Sequence, residues 1–172
     1  MIMRAGLFLS AIAASLLGAC ATTPTGPMAS ADLQARSGSA VSGKVTLSEV
    51  QGRLRVDAQV AGLTPGEHGF HIHEAVDCSA PDASSAKGHF NPAGKAHGHH
   101  AGSERHGGDM PNLMANAAGE ARFSGEIEGL SLNGTSGVVG RSIVIHADPD
   151  DYKSQPAGNS GKRIACGVIV AR

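Results

Sequence analysis

Histidine is the residue type in this sequence whose number and spacing point most clearly to chemistry, since nine occur among 172 residues. Four of them lie in the segment "HGHHAGSERHGGD", residues 97–109, which ends on an aspartate. Imidazole nitrogens and carboxylate oxygens are common ligands of divalent transition metals. The segment is therefore either a loose metal-binding tract or one part of a metal site whose other ligands lie elsewhere in the chain.

A second group of histidines follows the pattern of a strand. In "GFHIHE", His71 and His73 are two residues apart. Successive side chains of a strand point to opposite faces, so both rings would face one ion while Ile72 would face the core. The alternative, a pair of surface histidines, is costly in an apolar strand. The segments "GHFNP" and "GRSIVIHADPDD" add His89 and, at the end of a second strand-like run, His146.

The spacing within residues 89–109 predicts a zinc site. Three histidines follow one another at intervals of eight and nine residues, and an aspartate comes three residues later. Three imidazoles and one carboxylate suit closed tetrahedral coordination of zinc. His99 and His100 fall outside this spacing, and we expect solvated loop residues there rather than auxiliary metal ligands. The candidate zinc ligands are His89, His97, His106 and Asp109.

Alternating apolar residues predict the elements that must position these side chains. In "RLRVDAQV", every second residue from Leu54 to Val60 is apolar, and "GKVTLSEV", "ARFSGEI", "RSIVIHA" and "RIACGVIV" have strand length. Turn segments such as "TPGEHG" and "AGNSGK" separate them, and no segment has convincing helical periodicity. We expect an all-β sandwich or barrel whose long loops, over residues 74–116 and 147–162, carry the function.

Composition narrows the classes of function. Hydrophobic residues make up 41% of the chain, which suffices for a core, and aromatic residues only 3%, so that core must be aliphatic. The formal net charge is −1, without a basic excess or an acidic run. We therefore expect no nucleic-acid partner and no long disordered acidic segment.

The N-terminal residues predict export. "MIMRAGLFLSAIAASLLGAC" has one arginine, an apolar run and then small residues, which is typical of a secretory signal. Its end resembles a bacterial lipobox, in which Cys20 would carry lipid; the alternative is an ordinary signal peptide. The following segment is rich in Thr, Pro, Ser and Gly. We expect a signal peptide over residues 1–19, a flexible tether over 20–39 and a folded domain over 40–172.

Export would place the domain in the bacterial periplasm or cell envelope, where its only membrane contact would be the lipid anchor. Cysteines pair in such oxidising compartments. With Cys20 lipidated, Cys78 and Cys166 are left to form a disulfide that closes a loop of 88 residues. Chain entropy gives such a bond at most roughly 4 to 5 kcal/mol. The alternative is a pair of free, buried thiols.

Taken together, these segments resemble the copper/zinc superoxide dismutases, in particular their exported bacterial members. The resemblance covers nearly the whole exported domain through "GFHIHE", "GHFNP", "ERHGGD", "GRSIVIH" and "GKRIACGVI". It implies a Greek-key β-sandwich or flattened barrel of immunoglobulin-like architecture. It also implies one copper and one zinc per chain, and disproportionation of superoxide to dioxygen and hydrogen peroxide.

The resemblance further implies a role for individual residues. His89 would bridge the two metals and accept a proton when copper is reduced. Arg163 would stand beside copper and attract the superoxide anion, and Asp150 would join a copper histidine to a zinc histidine through hydrogen bonds. The disulfide would tie a ligand-bearing loop to the last strand. The implied copper ligands are His71, His73, His89 and His146, and the zinc ligands are those predicted from the spacing.

Other functions compatible with the sequence are a non-enzymatic copper or zinc buffer of the envelope, a copper-delivery protein and a purely structural sandwich. Arg163 and His89 favour the enzyme, because a buffer needs neither an arginine beside copper nor a bridging ring. His68 lies outside the ligand set, and we expect a structural histidine hydrogen-bonded near the strand that carries His71. The sequence leaves open whether the protein is a monomer or a homodimer.

Overall fold

The structure is a computed structural model that describes Gly26 and residues 28–172. Within those residues the chain forms ten strands and a single turn of 3-10 helix, Ser84–Ala86. None of the described helical residues forms a segment long and apolar enough to cross a membrane. The strands are β1 (Met28–Ala35), β2 (Ser42–Val50), β3 (Arg53–Ala61), β4 (Gly66–His68), β5 (Phe70–His73), β6 (Leu113–Ala115), β7 (Ala121–Ile127), β8 (Ser142–His146), β9 (Arg163–Val168) and β10 (Val170–Ala171).

Every ladder between these strands is antiparallel, in the order β4-β6-β7-β3-β2-β1-β9-β8-β5, with β10 beside β1. The two ends of this order, β4 and β5, are separated in the chain only by Gly69. The sheet therefore curves back on itself as a flattened barrel. Connections from β3 to β4, β5 to β6 and β7 to β8 join strands that are not neighbours, as in Greek-key folds. The predicted all-β barrel is confirmed.

The alternation seen in the sequence explains the core. In β3 the apolar positions from Leu54 to Val60 are buried, and β2 opposes them with Val45 and Leu47. Burial of an aliphatic side chain of this size contributes about 1.5 to 3 kcal/mol. By contrast β8 is buried at all five positions, because both of its faces are covered. β8 ends in His146, so the packing of this strand in the core fixes the backbone position from which the ring of His146 projects.

The predicted tether is wrong from Met28 onward. Residues 28–35 form β1, which pairs with β2, β9 and β10 and buries Ala29, Ala31 and Leu33. A composition rich in small and polar residues obscured the period-two pattern of buried apolar positions in this strand. The folded domain therefore begins before residue 40. The expected signal peptide and Cys20 lie outside the described residues.

Two long loops connect the strands that matter most for function. Loop L5–6 (residues 74–112) runs from β5 to β6, and loop L8–9 (residues 147–162) runs from β8 to β9. The predicted disulfide between Cys78 and Cys166 is confirmed, with Cα atoms 5.7 Å apart. It ties the beginning of L5–6 to β9, so that this loop is held against the barrel at both ends.

Candidate metal centre

Four buried histidines converge beside the β5–β8 pair and are called here the first ligand group. His71 and His73 come from β5, and His146 ends β8 at an irregularity in its register with β9. His89 comes from L5–6 and forms a bridge with His73. One ring nitrogen of each lies within 4.8 Å of the other three, which is close enough for all four to hold one ion.

The second ligand group lies entirely on L5–6 and centres on a buried carboxylate. Asp109 Oδ1 lies 2.7 Å from Nδ1 of His89. The same oxygen lies 3.1 Å from Nδ1 of His97 and 3.4 Å from Nδ1 of His106. Asp109 Oδ2 accepts hydrogen bonds from the backbone N–H groups of Gly98 and His106, at 3.1 and 2.8 Å. These bonds orient the carboxylate toward the three rings.

His89 belongs to both groups. Its Nδ1 faces Asp109, and its Nε2 is buried without a hydrogen-bond partner. One ring can thus serve both ions through opposite nitrogens, which is the arrangement that a bridging ligand requires.

Unpaired nitrogens test whether metals fit these residues. Leaving a buried polar atom without a partner costs about 1 to 3 kcal/mol. Each of the six ligand histidines has one such nitrogen, and coordination to a metal would satisfy all of them. The atoms are His71 Nδ1, His73 Nε2, His89 Nε2, His97 Nδ1, His106 Nδ1 and His146 Nε2.

The remaining nitrogens hold the rings of the first group in orientation. His73 Nδ1 donates to the carbonyl of Lys87 at 2.9 Å, and His146 Nδ1 donates to the carbonyl of Gly161 at 3.3 Å. A carbonyl oxygen only accepts hydrogen bonds, so each ring is protonated at Nδ1 and offers Nε2 to a metal.

Asp150 joins the two groups. Its Oδ2 lies 2.8 Å from His71 Nε2, and its Oδ1 lies 3.0 Å from His97 Nε2. Asn112 accepts from the backbone N–H of Asp150 and donates to its carbonyl, at 2.9 and 3.1 Å. At Gly158, where φ is +65°, a Cβ atom would overlap the Asp150 carboxylate. Residue 158 must therefore be glycine if the Asp150 carboxylate is to keep its hydrogen bonds.

Burial keeps His71, His73 and His146 of the first group neutral. It lowers the pKa of His71 to about 4 and that of His146 to about 3, and it brings the pKa of His73 well below its ordinary value. Repulsion from neighbouring histidines acts in the same direction. Neutral imidazole is the form that binds a metal, so these rings are ready as ligands at neutral pH.

In and beside the second group, contacts between carboxylates and histidines determine the pKa values. Burial alone would raise the pKa of Asp109 and of Asp150, but each carboxylate lies beside two histidine rings, whose contacts hold its pKa well below the usual range. His97 responds in the opposite direction. Burial alone would lower its pKa, but the carboxylates of Asp109 and Asp150, 3.1 and 3.0 Å from its two ring nitrogens, raise the pKa to about 9. A metal in this group must therefore displace a proton from His97.

A permanent positive charge lies beside the first group. Arg163 pairs with His146 across the β8–β9 ladder, and its Nη1 donates to the carbonyl of Ala83 at 2.8 Å. Its charge contributes to the lowered pKa of His73 and His146. Half-buried, the guanidinium offers its remaining N–H groups to an anion that approaches these rings.

The sequence model of the copper/zinc superoxide dismutases matches residues 41–169. The chain belongs to this family. Relatives named superoxide dismutase [Cu-Zn] support this membership. One from Deinococcus radiodurans (strain R1) is 44% identical over 167 residues, with 90% of each chain covered. A second, from Aquifex aeolicus (strain VF5), is 45% identical over 140 residues, covering 75% of this chain and 79% of its own. The crystal structure of the clock protein EA4 superposes with a TM-score of 0.78 and 38% identity over 87% of this chain and 97% of its own.

The family's two metals match the two groups of donors. Imidazole nitrogens suit copper, which fits the four histidines of the first group. Three imidazoles and a carboxylate suit zinc, which fits the second. All seven residues predicted as ligands from the sequence thus lie in one of the two groups, and Asp150 and Arg163 lie in contact with them or beside them.

The histidines outside the ligand set lie elsewhere. His68 is buried and bonds through Nδ1 to the carbonyl of His146 at 2.8 Å, as expected of a structural histidine. His99 is exposed, as expected. His100 is instead half-buried, and both rings pack on Tyr152, with centroids 4.7 and 5.5 Å from its ring.

Sequence reasoning missed the residues that support the ligands, among them Asn112, Tyr152 and Gln155. Tyr152 accepts the backbone N–H of Asn112 at its hydroxyl, at 2.9 Å. No periodicity marks such residues, since each acts through contacts with a distant loop. The only signal was that Tyr152 and Gln155 fall within the compact segment 147–162, and Asn112 lies outside it.

Proposed function

We propose that the protein is an exported superoxide dismutase of the bacterial cell envelope, which converts superoxide to dioxygen and hydrogen peroxide. Copper would be held by the first ligand group and zinc by the second, with His89 as the bridge between them. The observation that carries this assignment is the membership of His89 in both groups, through opposite ring nitrogens.

Copper, when bound, supplies the one-electron cycle that disproportionation needs, whereas zinc is redox-inert and orders the site. His89 supplies a proton carrier. Because Asp109 and the zinc group fix its Nδ1, its Nε2 keeps the same position whether or not it bears a proton. The ring can accept a proton at Nε2 and return it to the product without turning.

Arg163 attracts the substrate. Superoxide is a small anion, and the guanidinium remains charged at every physiological pH. A focused positive charge raises association rates roughly 10- to 10³-fold, a range for which superoxide dismutase is itself one of the known examples. Arg163 is held by the carbonyl of Ala83, so the charge stays beside the first group.

The decisive experiment combines metal analysis and kinetics on one sample. Purified protein reconstituted with both metals should contain one copper and one zinc per chain and should disproportionate superoxide in pulse radiolysis. A sample that is replete in both metals and inactive would contradict the enzyme and favour the envelope metal buffer.

The location rests on residues 1–20 and on the disulfide, which is compatible with an oxidising compartment. Lipidation at Cys20 is tested by intact mass of the membrane fraction. Wild type should carry acyl mass on an N-terminal Cys20, and Cys20→Ser should carry none. A mature wild-type protein that begins elsewhere without acyl mass would contradict the anchor.

A further inference from the structure

The side chain of Gln155, on L8–9, meets the backbone of His97, on L5–6. Its Oε1 accepts the His97 N–H at 2.9 Å, and its Nε2 donates to the His97 carbonyl at 2.8 Å. One amide side chain thus pairs with His97 through two bonds, as a neighbouring strand would. Within the described residues, this is the only ligand whose backbone N–H and carbonyl are both held by one side chain.

His97 depends on these bonds more than the other ligands do. His71, His73 and His146 lie in strands, where ladder bonds hold their backbone. His89 is held by a bridge to β5. His97 lies in no strand, and within the described residues its backbone makes no hydrogen bond to another backbone group. Without Gln155, neither backbone group of His97 would have a hydrogen-bond partner within the described residues.

L8–9 holds His97 from two sides. Asp150 binds the ring at Nε2, and Gln155 binds the backbone. Both attachments come from the same loop, 53 and 58 residues away in the chain. Together they leave Nδ1, which faces the Asp109 carboxylate at 3.1 Å, as the nitrogen open to a metal.

We propose that Gln155 is a positioning residue for the zinc ligand His97, through which L8–9 sets the rate at which zinc leaves the site. This inference rests on the zinc assignment of the proposed function. Gln155 supplies no metal ligand of its own, and its side chain bonds outside L8–9 only to the backbone of His97 within the described residues.

The test compares zinc release from full-length, metal-loaded variants. Gln155→Leu removes both bonds at similar volume, and Gln155→Glu keeps the acceptor oxygen but loses the donor. Ser154→Ala is the matched control, because the Ser154 hydroxyl bonds only to Asp151 and Asn159 within the same loop. Zinc transfer to a chromogenic chelator gives the rate, and Co²⁺ placed in the zinc group gives a visible spectrum that reports the ligand geometry.

Loss of a partner that orients a ligand typically weakens metal binding about 10- to 100-fold, and we expect zinc release to accelerate by that factor in Gln155→Leu. Gln155→Glu should fall between this variant and wild type, with a shifted Co²⁺ spectrum in both. Ser154→Ala should match wild type. Tyr152 is the only tyrosine in a chain without tryptophan, so its fluorescence shows whether L8–9 remains docked.

Release from Gln155→Leu at the wild-type rate would overturn the inference. Equal acceleration in Ser154→Ala would also overturn it, because the effect would then come from general loosening of the loop. A wild-type protein that binds no zinc would overturn the proposed function, and this inference with it. Failure in the variants alone leaves the proposed function intact.

Discussion

The two ligand groups share a residue but are built in different ways. Three of the four proposed copper ligands lie on β5 and β8, and two of their outer nitrogens bond to backbone carbonyls. All four proposed zinc ligands lie on L5–6, where carboxylates and side chains of L8–9 orient them. Barrel packing therefore preorganises the copper group, whereas contacts between two loops organise the zinc group. Damage to a loop should accordingly affect zinc before it affects copper.

Removal of a zinc ligand should have the largest effect. We expect His106→Ala to lose ordered, stoichiometric zinc and to retain copper in the first group, because strands hold that group. Elemental analysis of each metal after reconstitution measures this. Equal loss of copper would break the comparison, since the strands would then not suffice to organise the copper group.

Arg163→Ala should have the next largest effect, on rate alone. The guanidinium is not a ligand, so both metals and the copper spectrum should be unchanged, while the rate constant with superoxide should fall roughly tenfold or more. Arg163→Glu should fall further because it repels the anion. Added salt should slow the wild type, since exposed charges are screened beyond about 8 Å at physiological ionic strength. Pulse radiolysis that finds the alanine variant as fast as wild type would remove Arg163 from the reaction.

The disulfide is expected to act on stability through L5–6. Cys78→Ser with Cys166→Ser should lower the free energy of unfolding by about 2 to 4 kcal/mol, because the unfolded chain is no longer cross-linked. Zinc should be released faster than in the wild type, since the loop that bears all four zinc ligands is freed at one end. Thermal unfolding of reduced and oxidised wild type provides the check, and identical melting temperatures would contradict the expectation.

In metal-free protein, His71 and His146 of the first group and His97 of the second should make stability depend on pH in opposite directions. The pKa values of His71 and His146 fall from 6.5 to about 4 and about 3, so their contribution is lost as pH drops below 6.5. The pKa of His97 rises to about 9, so its contribution is complete below 6.5 and disappears as pH rises toward 9. Each of these declines in stability should amount to a few kcal/mol, because one pKa unit corresponds to about 1.4 kcal/mol.

Denaturant unfolding of the metal-free protein between pH 4 and pH 9 measures both the acidic and the alkaline decline in stability. His97→Gln should remove most of the alkaline decline and leave the acidic one. If this variant loses stability with rising pH as wild type does, the carboxylates do not hold a proton on His97.

The smallest effect is expected from the two histidines outside the ligand groups. His99→Ala with His100→Ala should keep one zinc per chain and near-normal activity, with a change confined to Tyr152 fluorescence. The same metal analysis used for His106→Ala provides the comparison. Zinc loss equal to that of His106→Ala would mean that the rings of the second group are wrongly assigned.

Most of the strands and all of the metal-binding residue types could be predicted from the sequence. Strand alternation at Leu54–Val60 and the spacing of His71 and His73 are local, because two-residue periodicity alone decides which side chains share a face. Export made a disulfide the expected state of Cys78 and Cys166. The position of β1 was missed, since its small residues resemble those of a linker and only partners on β2 and β9 make them a strand.

The sequence by itself thus determined the fold class, the ligand chemistry and the order of the ligands along the chain. The family resemblance implied the places of His89 and Asp150, but only the tertiary structure brings their atoms between the two groups and reveals that Gln155 holds the backbone of His97. These contacts join residues 53 or more positions apart or depend on the path of an irregular loop. A loop without regular periodicity acquires its conformation from the barrel beneath it, so these contacts exist only once the chain has folded.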